Sequence, residues 1–354
     1  MTGLAIATPT NILLTGAGFT KNFGGLLAVE VWSRIFNHTS VRGVPGLASK
    51  VSVLAPDFEA VYDEVVVRDP TTDEAKAVHK ATLAAYDTLD QKLQDPMGPQ
   101  SKLDVARIGE MVKLCGPTKD TKEVGFLFTL NQDLLPERKT VGKLHFGDPQ
   151  ILGFGGLPGH YGTYLEQGDG APLTKKDVRR CPSQEQIEHG APSWLHGGQF
   201  YWVKLHGSSN WRDAAGNDLM VLGHGKMGQI QAEPLLSWYW GLFKSALLSR
   251  RHRLFVIGYS FRDEHVNEVI AESVATKATE LVVVNPAPWE QFKNSLVGLP
   301  RCCRGPELVR SIEGGGGSRY WSATLLEMFP YETYGSETVE WQELKQLLRS
   351  PLAD

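Results

Sequence analysis

The sequence predicts an α/β protein built on a doubly wound parallel sheet, and three observations predict it. Short apolar runs recur at 12–14, 124–130, 254–257 and 281–284. Each closes on polar or glycine residues, and segments with helical spacing of apolar positions separate them. The runs are apolar along their length instead of alternating, as strands covered on both faces require. Strands that alternate with helices order themselves in parallel, and such sheets take ligands at the carboxyl ends of their strands.

The first run opens the stretch NILLTGAGFTKNFGG at 11–25. Gly16-Ala17-Gly18 predicts a tight turn, and 21–37 carries helical spacing. Strand, glycine turn and helix together can hold a dinucleotide phosphate. Glycines let the backbone approach closely, and a helix N-terminus offers N–H groups and a positive dipole end. The third glycine of G-x-G-x-x-G is displaced to Gly24, so this stretch alone fits an ordinary αβ turn equally well. Gly43-Val44-Pro45-Gly46 predicts a turn, and 57–93 has helical spacing with Val78, Leu83, Tyr86 and 89–93 on one stripe. Pro96, Gly98 and Pro99 end that helix, and another is expected over 103–114.

The second strand, EVGFLFTL, ends at Asn131-Gln132-Asp133. Beyond it, 142–199 is rich in Gly, Pro and His. A structureless loop of that length is unusual in a compact domain, so short strands or a functional loop are expected within it. A strand at 200–205 ends at His206-Gly207, and a helix follows over 234–248. The basic cluster at 250–253 reads as a solvated helix end. The run at 254–257 closes on Gly258-Tyr259-Ser260-Phe261, and a helix begins near Asp263 with acidic residues in its first turn, where the dipole favours them. The run at 281–284 ends at Asn285-Pro286; a glycine turn at 314–317 and an amphipathic helix at 339–348 complete the chain. The expected organisation is a Rossmann-like core at 1–50 with 121–312, a helical insertion at 51–120 that serves packing, a lid or an oligomer contact, and a C-terminal extension at 313–354.

Composition excludes several classes. With a formal net charge of −4 and no basic block, the chain has no broad positive face for nucleic acid. No apolar run is long enough to cross a bilayer, and the N-terminal MTGLAIATPT lacks the positive region of a signal peptide. The four cysteines, at 115, 181, 302 and 303, form no C-x-x-C, which argues against both a disulfide scaffold and a four-cysteine zinc site. Reduced thiols and a cytoplasmic location are expected.

In chain order, these stretches resemble the sirtuin family, and more closely the divergent SIR2-like proteins of prokaryotes. Gly16-Ala17-Gly18-x-Thr20 resembles that family's nucleotide loop, and Thr129-Leu130-Asn131-Gln132-Asp133 resembles its T-Q-N-I-D stretch. Leu205-His206-Gly207 resembles the L-H-G stretch that holds its catalytic histidine. Gly258-Tyr259-Ser260 resembles its G-T-S loop, and Asn285 stands where the family places an Asn near the adenosine ribose. The resemblance implies an NAD+-binding site in which Gly16, Ala17, Gly18, Thr20, Gly258, Ser260 and Asn285 hold the dinucleotide. It implies catalytic roles for Asn131, Asp133 and His206.

The bare residues suit that chemistry. Breaking the nicotinamide–ribose bond needs a stabilised oxocarbenium-like ribose and a base acting on water or a ribose hydroxyl. His206 suits the base, since imidazole titrates near neutrality. Asn131 can hold a ribose hydroxyl or water, and Asp133 can accept from the nicotinamide carboxamide. Taken alone, His206 reads as a core histidine; the ordered set gives it a role. His145, His160, His189 and His196 have no such support.

The sequence departs from the deacylases of that family. It lacks their paired zinc-binding cysteines, so no metal is expected, and it lacks the G-I-P-x-F-R segment, reading Gly25-Leu26-Leu27-Ala28-Val29 after Gly24. The expected activity is therefore that of an NAD+ glycohydrolase, releasing nicotinamide and ADP-ribose. The resemblance implies an NAD-depleting effector of antiphage defence, acting as a homo-oligomer or with a separately encoded partner such as an ATPase or a nucleic-acid-guided protein. The alternatives are an NAD-dependent protein deacylase and a non-catalytic subunit that binds NAD or ADP-ribose.

Overall fold

The computed structural model describes residues 8–95, 97–117, 122–139, 150–151, 178–314, 317–331 and 336–352. Among the described residues, ten strands form two sheets. The larger has seven parallel strands in the order β10-β9-β8-β1-β2-β5-β3. These are β1 Asn11–Thr15, β2 Gly125–Thr129, β3 Gln150–Ile151, β5 Phe200–Lys204, β8 Arg253–Ile257, β9 Glu280–Asn285 and β10 Arg319–Ser322. Every residue of β1, β2, β5 and β8 is buried, which is why these strands carry no polar alternation. With helices in the connections, this is the Rossmann-like α/β arrangement that the sequence predicts. The smaller sheet runs β4-β6-β7, from β4 Arg179–Arg180, β6 Gly207–Arg212 and β7 Asp218–Met220.

The strand order reverses at β1. Chain from β1 onward goes to one side through β2, and β8, β9 and β10 fill the other. The register aligns the carboxyl ends: Thr15 pairs with Thr129 and Ile257, Thr129 with Lys204, and Ile257 with Val284. Gly16, Leu130, Leu205, Gly258 and Asn285 therefore form one row along the sheet edge, at the switch point where such folds bind ligands.

The opposite edge is closed by Arg253, which is 1% exposed. Its guanidinium meets Glu280 at 2.8 Å, Asn11 Oδ1 at 3.2 Å and the carbonyls of Ser350 and Pro351 at 3.3 and 3.2 Å. The basic cluster at 250–253 is thus a solvated helix end only in part: Arg250 is exposed, while His252 and Arg253 are buried. It runs into the first residue of β8, because three strand starts and the C-terminal segment leave polar groups there that an arginine fork can satisfy.

Two further expectations are corrected. The helix expected over 21–37 is two helices, Ala17–Lys21 and Ala28–Asn37, broken by a turn in which Gly24 has φ +95°. The long periodic segment likewise splits into Phe58–Tyr62, a π-helical turn over Asp63–Val67, and Asp73–Gln94, with Asp57 and Thr72 as N-caps. Val78, Tyr86, Leu89 and Leu93 are buried as the stripe predicts, while Leu83 is half-buried. The helix Val105–Lys113 follows. Most of 142–199, including His145 and His160, lies outside the described residues; within the remainder are β3, β4 and the helix Gln184–Trp194. His189 is exposed on that helix and His196 is exposed after it.

Salt bridges and hydrogen bonds tie the 58–94 helices to the segment after His206. Tyr62 Oη lies 3.0 Å from His79 Nδ1, His79 Nε2 lies 3.0 Å from Asp218, His224 lies 2.6 Å from Asp63, and Lys226 lies 2.8 Å from Glu59.

Candidate active site

The glycine loop and the loop after β8 are built against each other. Gly16 N–H donates to the Ile257 carbonyl at 3.0 Å, and Gly18 N–H to the Gly258 carbonyl at 2.9 Å. A Cβ on Gly18 would stand 2.7 Å from Gly258 Cα, and one on Gly258, whose φ is +64°, would fall on Phe19 N and 2.6 Å from Gly18 Cα. Both glycines are therefore demanded by the contact between backbones at the switch point. Ala17 and Ser260 are exposed beside that contact, and Gly18 and Gly258 half-buried.

Asn131 and Asp133 emerge from β2. Asn131 is 8% exposed, and its amide nitrogen donates to the Gly16 carbonyl at 3.0 Å and to Thr20 Oγ1 at 2.7 Å. The Thr20 hydroxyl bonds in turn to Asp133. One network thus joins the ends of β1 and β2, and both amide hydrogens of Asn131 are committed to it, leaving Oδ1 as the acceptor. Burial raises the Asp133 carboxyl, against the Lys204 ammonium, the Leu135 N–H and Thr20. Lys204 is fully buried at the end of β5 and reaches the Asp133 carbonyl at 2.5 Å, Ser208 Oγ at 2.6 Å and Glu137 at 3.1 Å.

His206 stands two residues beyond the end of β5, after Leu205 and before Gly207, whose φ of +74° turns the chain into β6. It is 2% exposed. Its Nε2 lies 3.1 Å from Nε2 of His265, and its ring also bonds to the Leu130 backbone. The sequence suggests an imidazole that titrates near neutrality; the structure corrects this. Burial, with Lys226 and His265 acting in the same direction, pushes the His206 pKa down to about 3. The ring is therefore neutral at physiological pH, with a lone pair available.

The loop 258–263 carries a second non-ideal residue. Phe261 is fully buried with φ +57°. A non-glycine residue costs roughly 1–2 kcal/mol in that region. Asn267 holds it there by donating to the Phe261 carbonyl at 2.6 Å and the Cys303 carbonyl at 2.9 Å, while its Oδ1 accepts from Tyr259 Oη at 2.9 Å. The loop delivers Asp263 to Lys226 at 2.5 Å. Burial alone would raise the Asp263 carboxyl; Lys226 and the two histidines hold it below its ordinary value. Asn285 ends β9, half-buried, and caps the next turn through the Ala287 N–H at 3.0 Å.

The register and the hydrogen bonds bring the glycine loop, Asn131, Asp133, His206 and the loop at 258–263 to one edge, with Asn285 one strand further along it. Sequence reading passed over Lys204, Lys226, Glu59 and His265. His265 carried a signal, standing seven residues after Gly258 at the start of the helix Glu264–Lys277. Glu59 and Lys226 carried none, since the chain separates them by 167 positions. Among the described residues, no three His, Cys, Asp or Glu side chains gather as a metal-ligand set. No described helix is long and apolar enough to cross a membrane.

Comparison with known proteins adds a family. No curated protein matches the chain. Residues 174–296 match the family described as SIR2-like domain. The match spans β4 through β9 and includes His206, the 258–263 loop and Asn285. Residues 174–296, set on a parallel sheet whose loops meet at the switch point, are thus similar to a SIR2-like domain.

Proposed function

We propose that the protein is an NAD+ glycohydrolase that cleaves the nicotinamide–ribose bond to give nicotinamide and ADP-ribose. The observation that carries this reading is the alignment of four strand ends, which sets Asn131, Asp133 and His206 beside the glycine loop and the 258–263 loop. In this reading the glycine loop (Gly16, Ala17, Gly18, Thr20) with Gly258, Ser260 and Asn285 holds the dinucleotide. Asn131 Oδ1 accepts from a ribose hydroxyl or water, and its amide keeps the loop closed. Asp133, whose carboxyl pKa burial raises, accepts from the nicotinamide carboxamide. Neutral His206 receives the proton that leaves the ribose hydroxyl or water. NAD+ is the substrate, and no metal enters the reaction.

We assign residues 1–50 with 121–312 to this core, 51–120 to an inserted helical surface for self-association or for a separately encoded defence partner, and 313–354 to an extension. The biological role we assign is NAD+ depletion in the prokaryotic cytoplasm during phage infection. The experiment is product chromatography after incubation of purified protein with NAD+, with and without an acylated peptide, alongside light scattering for assembly. Nicotinamide and ADP-ribose should form without peptide. Turnover should fall 10²–10³-fold for Asn131→Ala and about 10²–10⁴-fold for His206→Ala, with NAD+ affinity changing much less. Release that requires the peptide would replace hydrolase with deacylase. Near-normal turnover by a folded Asn131→Ala protein would remove Asn131 from the site.

A further inference from the structure

His206 is buried on all sides, yet a base has to exchange a proton with something outside itself. Its Nε2 faces one identified partner, His265 Nε2, at 3.1 Å. The bond to the Leu130 backbone favours the charged ring, so His206 donates there, to the carbonyl. That places its proton on the nitrogen away from His265 and leaves Nε2 with a lone pair. Between two neutral rings the donor at Nε2 is then His265. His265 is less buried than His206, opens the helix that follows the 258–263 loop, and packs on Trp240 with ring centroids 5.2 Å apart.

Resting on the glycohydrolase reading, we propose that His265 is the outer half of a two-histidine base and passes the substrate's proton to His206. The step balances within the pair. A ribose hydroxyl or water gives its proton to His265 Nδ1, and the O–H bond breaks. The His265 Nε2–H proton moves to His206 Nε2. His206 becomes an imidazolium with one N–H on the Leu130 carbonyl and the other on His265, whose ring is left neutral with its proton on Nδ1. Return of the proton to solvent through His265 reverses both shifts. Both rings feel the same neighbouring charges. Asp263 favours the protonated state of both rings, Glu264 favours that of His265, and Lys226 opposes both. Lys226 is itself held at 2.5 Å by Asp263 and at 2.8 Å by Glu59, from the helix Phe58–Tyr62. The field on the pair is thus set by the loop after β8, by the helix Lys226–Ala232 and by the helical segment before β2.

Two variants of the full chain separate a relay from a positioning contact. His265→Ala removes donor and acceptor; His265→Gln keeps an amide donor for His206 Nε2 but cannot take up a proton and pass it on. Both should lower NAD+ turnover by about 10²-fold, with NAD+ affinity within about threefold of the unmodified chain. Recovery of turnover by His265→Gln makes His265 a positioning residue and overturns the relay. Imidazole NMR of 15N-labelled protein, without NAD+, reads the pair directly. The two rings should titrate as one coupled unit, and His265→Ala should move the His206 titration upward by a pH unit or more. Independent titration of the rings overturns the proposal. If the unmodified chain does not cleave NAD+, the glycohydrolase reading falls and the NMR titration alone decides the pair.

Discussion

Gly258→Ala tests the contact on which the site is built. At φ +64° an alanine costs about 1–2 kcal/mol from its own backbone. Its Cβ would fall on Phe19 N and 2.6 Å from Gly18 Cα, atoms of the facing loop that cannot turn aside as a flexible side chain would. Forcing a methyl group into packed surroundings costs about 1–3 kcal/mol more. The sum, about 2–5 kcal/mol, is divided by an unfolding entropy of about 2.1 cal/mol/K per residue. For 354 residues the melting temperature should then fall by roughly 3–7 °C. The assay is calorimetry of the full chain against Gly228→Ala. Gly228 lies exposed within the helix Lys226–Ala232 with nothing within 4 Å of its Cβ position, so alanine there should stabilise by about 0.5–1 kcal/mol. A melting temperature for Gly258→Ala within 1 °C of the unmodified protein, at normal NAD+ binding, would refute the reasoning. The loops would then be shown to tolerate separation.

Arg253→Met should cost about 3–5 kcal/mol in urea unfolding, because it strips the buried Glu280 of its closest cation and releases Asn11 and the 350–351 carbonyls. Replacing Glu280 by Leu in the same chain should recover part of that loss, and a single variant within about 1 kcal/mol of the parent would count against the clamp. Stability should also fall on mild acidification. Burial depresses His206 to about 3 and His252 to about 4, so below the unfolded value near 6.5 the unfolded chain binds more protons. Their contribution is complete above pH 6.5 and is lost as pH falls toward the folded values, at up to about 1.4 kcal/mol per pH unit for each ring. Denaturant midpoints at pH 7, 6 and 5 check this, and His252→Phe should flatten the slope; a midpoint constant over that range would contradict it.

The sequence by itself determined the sheet core and the row of residues along its edge. A strand buried on both faces must be apolar along its middle, and a chain leaving such a strand must turn through polar or glycine residues. Those constraints are local, so β1, β2, β5, β8 and β9 and the residues closing them could be read without a partner in view. Helix breaks were legible but passed over: Gly24-Gly25 and Pro70 mark both of them in the sequence. What remained for the tertiary structure was everything set by burial and by long-range charge. The imidazole of His206 looks the same in sequence whether it titrates near neutrality or, fully desolvated, near 3. Arg253 reads as one more residue of a basic cluster until three strand starts and the chain's last helix converge on it. The pairing of His206 with His265 joins positions 59 residues apart, and the Glu59–Lys226–Asp263 bridge joins three segments of the chain. Periodicity reports which face of an element is buried. It does not report what another element brings to that face, because that depends on distances that only folding sets.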